Sequence, residues 1–165
     1  MKAKKIIHAV FMISVFALIV SSCKKDKAEE DANQALIDEV NSSGYTYYQN
    51  GTLLSGVSPS PHGSFKLRFN NIAKAALDST GELPVGNSFP TGSIIVKELF
   101  VGTTLDQFAV MKKDASNANA GSGWVWAEFK PDGTVTYSAA NKGSGCIGCH
   151  SGTPNRDLIR TFDLH

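Results

Sequence analysis

Only fifteen residues follow Cys146-Ile147-Gly148-Cys149-His150 in a chain of 165. C-x-x-C-H is the string at which haem is bonded covalently to a polypeptide. Its spacing has a chemical reason: two thiols add to the two vinyl groups along one edge of the porphyrin, and the adjoining imidazole swings under the iron as axial ligand. A chain that carries it must wrap a flat, apolar cofactor, and nearly all of the wrapping segment here lies upstream of the attachment point. Cys146 and Cys149 are thus read as attachment residues, His150 as the axial iron ligand, and haem c as the cofactor.

A C-x-x-C pair also serves zinc sites and thiol redox enzymes. A structural zinc site takes four ligands, usually from two separated pairs, yet beyond this cluster the mature chain offers only His62 and His165 and no second cysteine pair. A redox pair is expected at a helix start within alternating strands and helices, where the helix terminus lowers the thiol pKa. Here the string follows Gly143-Ser144-Gly145, outside any such context.

Thioether attachment takes place outside the bacterial cytoplasm, and the start of the chain permits export. Lys2, Lys4 and Lys5 form a basic n-region, Ile6 to Val20 is mostly apolar, and Ser21 and Ser22 lead into Cys23, so residues 1–22 read as a secretory signal. The apolar stretch falls short of the ~20 residues of a comfortable membrane span. Val20-Ser21-Ser22-Cys23 resembles a lipobox, in which the cysteine is acylated and becomes the first residue of the mature protein; the alternative is an ordinary cleaved signal. The expected location is the cell envelope, anchored through lipid on Cys23 to a membrane on its periplasmic or extracellular side. The three cysteines are then assigned, one to lipid and two to haem, and none is left for a disulfide.

Without Lys2, Lys4 and Lys5 the chain carries 13 basic against 15 acidic residues, a charge near −2 that gives no basic field for nucleic acid. Lys24 to Asp31 is nearly all charged and reads as a solvated tether, so residues 23–44 are expected to hold the lipidated cysteine, the tether and a short helix, and residues 45–165 one haem domain.

Along the folded part, Leu36, Ile37 and Val40 recur at helical spacing within Ala32 to Asn41. Tyr45 to Leu54, with Asn50-Gly51 as a turn signal, suggests a hairpin or an irregular strand. Phe65, Leu67 and Phe69 alternate with polar residues as in a half-buried strand, and Asn70 or Asn71 caps a helix expected to run to Asp78 with Ile72, Ala73, Ala76 and Leu77 on its apolar face. Further strands are predicted at Ser93 to Val101 and Gln107 to Lys112. Trp124 to Phe129 and Thr134 to Ser138 flank the turn residues Pro131-Asp132-Gly133 and read as a hairpin. Short helices flank these strands and one lies at the haem motif, which makes the class α+β: an antiparallel β-sheet packed with short helices around a covalently attached haem c.

Small helical cytochromes c carry the attachment motif near the start, and four-helix cytochromes c-prime need long amphipathic helices that this glycine-rich, alternating sequence lacks. The chain instead resembles the cytochrome P-460 family, including its cytochrome c-prime-beta relatives. The resemblance rests on Phe89-Pro90-Thr91-Gly92-Ser93-Ile94-Ile95-Val96-Lys97-Glu98, on Trp124-Val125-Trp126-Ala127 before Pro131-Asp132-Gly133, and on the Cys146 to His150 motif followed by Arg156-Asp157 and Thr161-Phe162. It implies an antiparallel sheet, a homodimer and a pentacoordinate haem held by the motif histidine. It also implies reactivity with hydroxylamine or nitric oxide, either as a haem-dependent oxidoreductase or as a gas-binding or electron-carrying protein with a separate redox partner.

Members that oxidise hydroxylamine have a lysine cross-linked to the porphyrin edge, which makes Lys97 the candidate here. Strand parity puts Lys97 with Ile95 and Leu99, and Glu98 with Ile94, Val96 and Phe100, without saying which face meets haem. The other reading of Lys97 is a side chain snorkelling into water or paired with a nearby acid. Met111 is a candidate sixth ligand or a core residue, and Phe89, Phe100, Phe108 and Phe129 are candidates to line the distal pocket or to fill the core. Trp124 and Trp126 bury against core or haem. Arg156 and Arg160 are candidates to pair with propionates or are ordinary surface residues, His62 and His165 are candidate distal groups or, as expected, residues of an exposed loop and the terminus, and Asp132 serves its turn.

Overall fold

The computed structural model describes residues 27–164; the signal segment, Cys23 and His165 lie outside them. A seven-stranded, wholly antiparallel sheet organises the molecule. Its strands are β1 (Thr46–Tyr47), β2 (Leu54–Ser55), β3 (Ser64–Phe69), β4 (Ile94–Val101), β5 (Thr104–Lys113), β6 (Trp124–Phe129) and β7 (Val135–Tyr137). They run in the order β1-β3-β4-β5-β6-β7, and β2 also pairs with β3. Among the described residues three α-helical segments accompany it: α1 (27–40), α2 (Asn71–Lys74) and α3 (Ile147–His150). The α+β class and the antiparallel sheet expected from the sequence are therefore present.

Both faces of this sheet are apolar, because alternate residues of its central strands are apolar on either side. On one face α1 lays Leu36, Ile37 and Val40 against Ile94, Val96, Val110, Val125 and Ala127. Its Glu39 pairs with Lys112, and its Asn33 accepts from the amide of Ala139 at 2.9 Å. This face also encloses Glu98, 7% exposed, paired with Arg68 at 2.9 Å and accepting from the Tyr47 hydroxyl at 3.0 Å. The other face buries Phe65, Leu67, Phe69, Ile95, Met111, Trp124 and Trp126 beneath Phe89, Ile159 and Phe162, and it is this face that the C-terminal segment crosses.

Several elements depart from the sequence reading. α1 begins by residue 27, so residues 27–31, assigned to the tether, are helical. Of the two readings of Tyr45 to Leu54, the irregular strand holds and the hairpin does not: β1 and β2 both pair with β3 and are separated by a 3-10 turn over Tyr48–Gly51. The helix after Asn70 stops at Lys74 instead of reaching Asp78, and Ile72 points outward at 45% exposure. Its brevity follows from what Asn70 does. The side-chain oxygen accepts from Ala73 at 2.9 Å as an N-cap and from Ile94 at 3.0 Å, while the amide donates to Gly92 at 2.9 Å. The cap thus ties the end of β3 to the start of β4, and one helical turn suffices to redirect the chain.

Candidate haem-binding cleft

Register across the second face builds the floor of a cleft. Leu67 stands opposite Lys97, Lys97 opposite Ala109, Ala109 opposite Glu128, and Glu128 opposite Tyr137, so one row crosses five strands. The next row runs Phe69, Ile95, Met111, Trp126. Ala109 is the small residue between Lys97 and Glu128, and the space it leaves opens the middle of the row. Cys146, Cys149, His150, Ile159, Pro61 and His62 contribute to the wall over this floor, around about 820 Å³ counted to the open mouth.

The attachment segment is seated by close backbone approach. A Cβ on Gly143, whose φ is +71°, would lie 2.6 Å from the Trp126 indole nitrogen, and one on Gly121 would lie 1.8 Å from the carbonyl oxygen of Lys142. Only glycine permits the loop to rest on Trp126, whose indole donates to the Gly121 carbonyl at 3.0 Å. Tyr137 donates to the Ser144 carbonyl at 2.6 Å and fixes the far side of the same loop.

His150 meets the edge of Trp126 at 5.0 Å between ring centroids and 87° between planes. Its Nδ1 lies 2.7 Å from the carbonyl oxygen of Leu158. A carbonyl only accepts, so Nδ1 carries the proton and Nε2 presents its lone pair, the tautomer a metal-ligating histidine needs. Burial lowers the His150 pKa, the Leu158 bond opposes that shift, and the charges of Lys97 and Arg160 add to it. Two thiols separated by two residues and an imidazole with a free Nε2, on the wall of a largely apolar cleft, fit a covalently attached haem in donor set and in surroundings. Among the described residues, no three His, Cys, Asp or Glu side chains converge to hold a metal ion by themselves.

Lys97 points into this cleft, partly buried, with its ammonium 4.3 Å from the centroid of the Phe65 ring. Burial brings its pKa down to about 8, against an opposing pull from Cys149. Among the described residues no acid pairs with Lys97, since the adjacent Glu98 belongs to the opposite face and to Arg68. Glu128, at the other end of the gap over Ala109, has its pKa raised by burial and accepts from Gln107 at 2.8 Å. Burial, and then the neighbouring Cys146, push Tyr137 up to about 12.

His62 is not in an exposed loop; it lines the cleft, where the distal-group reading would put it, because backbone bonds from Gly56 to Gly63 and from Val57 to Leu164 fold the 56–63 loop back over the sheet. Burial, then the charges of Lys97 and His150, depress it to about 4. Met111 lines the cleft as well. Phe108 and Phe129 do not, since they pack on the α1 face, nor do Phe89 and Phe100. Arg156 is turned away, pairing with Glu82 and Asp163 and donating to the Leu83 carbonyl. Arg160 donates to the Thr153 carbonyl, and Asp132 accepts from Thr134 within its exposed turn. No local signal marks Glu128 or Tyr137; cross-strand register alone brings both in.

A family model for cytochrome P460 matches residues 32–161. No curated protein matches the chain.

Proposed function

Because the chain belongs to the cytochrome P460 family, which makes it a cytochrome with a haem cofactor, we propose that the cleft takes haem c through thioethers to Cys146 and Cys149 with His150 as axial ligand, and that hydroxylamine or nitric oxide is bound or oxidised there. The observation that carries this reading is the gathering of Cys146, Cys149, His150 and Lys97 around one cleft. When bound, the haem supplies an iron that takes a small nitrogen ligand and accepts electrons from it. The chain's own residues have separate tasks. Leu67, Ile95, Met111, Trp126 and Ile159 line the cleft and would exclude water from a haem held there. His150 Nδ1 holds its proton against the Leu158 carbonyl and keeps Nε2 for the metal. His62, neutral at pH 7, offers a ring nitrogen to take up a proton released by an oxidised substrate. Lys97, with a substantial neutral fraction at pH 7, is an amine suited to the porphyrin cross-link of the hydroxylamine-oxidising relatives.

Met111 in the same cleft favours a second reading, in which a thioether ligand makes the protein an electron carrier. In either case acylation of Cys23 would hold the domain at a membrane surface in the cell envelope, with a redox partner taking the electrons and a second copy of the chain completing a homodimer.

Chain matured with haem is the material for the test. Haem that stays with the chain under denaturing conditions, and a ferric spectrum that changes on adding hydroxylamine or nitric oxide, support the proposal. A six-coordinate low-spin spectrum with a methionine band, unchanged by either ligand, rejects the open site in favour of the carrier. For the cross-link, trypsin should leave the Gly143 to Arg156 haem peptide joined to Ala75 to Lys112, because an alkylated lysine is not cut; quantitative cleavage after Lys97 would rule it out.

A further inference from the structure

The haem reading gives no task to Asp157, although its carboxylate binds three residues beside the cleft. Asp157 and Leu158 both occupy the left-handed region, with φ of 52° and 70°. Two such residues in succession, one of them a leucine, persist only where their surroundings hold them. The holding group is the Asp157 carboxylate. It accepts from the Phe89 amide at 2.8 Å, from Lys113 at 2.7 and 2.9 Å, and from the Trp124 indole at 3.4 Å. The ion pair is secluded, its side chains 16% and 10% exposed, and the Lys113 ammonium also lies 4.8 Å from the Trp124 ring centroid. One carboxylate is thereby fastened to the end of β5, the start of β6 and the loop before β4. The next carbonyl along the chain, that of Leu158, accepts the Nδ1 proton of His150 at 2.7 Å.

We propose that Asp157 is a positioning residue for the haem ligand: by clamping the left-handed turn to the sheet it aims the Leu158 carbonyl at His150 Nδ1 and so sets how strongly Nε2 donates to iron. This rests on the reading of His150 as the axial ligand. An acceptor on Nδ1–H raises the basicity of the ring, and a more basic ligand favours ferric over ferrous iron. A plain structural staple would act on stability alone, whereas a positioning residue also alters the iron's electronic signature.

The test uses the haem-loaded full chain and compares wild type with D157A and D157N. Asparagine tolerates the left-handed turn and keeps an acceptor for the Phe89 amide. The readouts are the iron–histidine stretching band of the ferrous protein and the midpoint potential. D157A is expected to lower the band and to weaken ferric preference about tenfold, which is about 59 mV upward for one electron; D157N should stay near wild type. If D157A does not accumulate, D157G/K113M replaces it with the same expectation, since glycine relieves the turn and the second change leaves no ammonium without its partner. Attached haem with both readouts unmoved in the alanine or glycine variant overturns the role of Asp157 alone. Absence of covalent haem from the wild type overturns the haem reading and this inference with it.

Discussion

Lys97 is a partly buried cation whose counterweight is an aromatic ring, and the consequence can be measured in C146A/C149A, a variant that cannot attach haem. Burial holds its pKa at about 8 where a free lysine lies at 10.5, and the loss of Cys149 from the variant, which removes the one opposing pull, leaves it no higher. At about 1.4 kcal/mol per pKa unit, keeping the ammonium charged in the fold at pH 7 costs about 3 kcal/mol. The Phe65 ring at 4.3 Å acts on the charged form only, so its effect is part of that net cost. Replacing Lys97 by methionine removes the charge, so K97M should be the more stable protein at pH 7 by about 3 kcal/mol. The sign of the pH dependence follows from linkage: between pH 8 and 10.5 the unfolded chain binds more protons than the folded one, so the lysine form gains stability as pH rises through that window. The advantage of K97M should therefore be full below pH 8 and gone above 10.5. Urea unfolding at pH 7 and pH 10.5 reads the difference directly. Competitive acylation followed by mass spectrometry gives a second measure, because at pH 7 about one Lys97 in ten is uncharged, some 300-fold more than for a lysine in water. A K97M gain that does not change with pH, or an acylation midpoint above 10, would refute the reasoning.

Three other outcomes follow from the same geometry. His62 is neutral in the fold down to about pH 4, so stability should fall as pH drops from 6.5 toward 4 by about 2 kcal/mol, and urea midpoints of H62Q at pH 7 and 4.5 should show that slope reduced. Leu67 is 1% exposed on the cleft floor, and L67A should cost about 2–5 kcal/mol in urea unfolding through the cavity it leaves. N70A, which removes three hydrogen bonds joining β3, α2 and β4, should cost about 2–3 kcal/mol, and N70D, which keeps the two acceptor bonds, should recover more than half of it in the same assay.

What could be read from the sequence divides by the range of the interaction that fixes it. The C-x-x-C-H string is local chemistry, and the alternation of Phe65, Leu67 and Phe69 is a local period, so both stood out; the strand they predict occupies Ser64–Phe69 with those three residues inward. Lys97 shows where that method fails. Its parity with Ile95 and Leu99 was plain, but with apolar residues on both faces of β4, hydrophobicity could not tell which face the C-terminal segment would cover. Pairing information decides it: Ile95 registers with Met111 and Met111 with Trp126, and Trp126 is the ring on which His150 rests. Phe108 and Phe129, equally open to a pocket or a core role from the sequence, take the core role for the complementary reason, since the same register turns them toward α1.

His62 and Asp157 lie beyond any local reading, and for one physical cause. Each sits in irregular chain whose conformation is set by partners far away in sequence: the His62 loop by a backbone bond between Val57 and Leu164, and Asp157 by Lys113, 44 residues earlier. Neither position has a period, and an isolated histidine between Pro61 and Gly63, or an aspartate after Arg156, looks the same whether it faces water or a cofactor. A scaffold of strands can be inferred from repetition, because many residues repeat one instruction. A site on that scaffold is assembled from single residues used once, and the long-range bonds that deliver them, here Leu164 to the loop of His62 and Lys113 to the turn beside His150, are where the haem ligand acquires its surroundings.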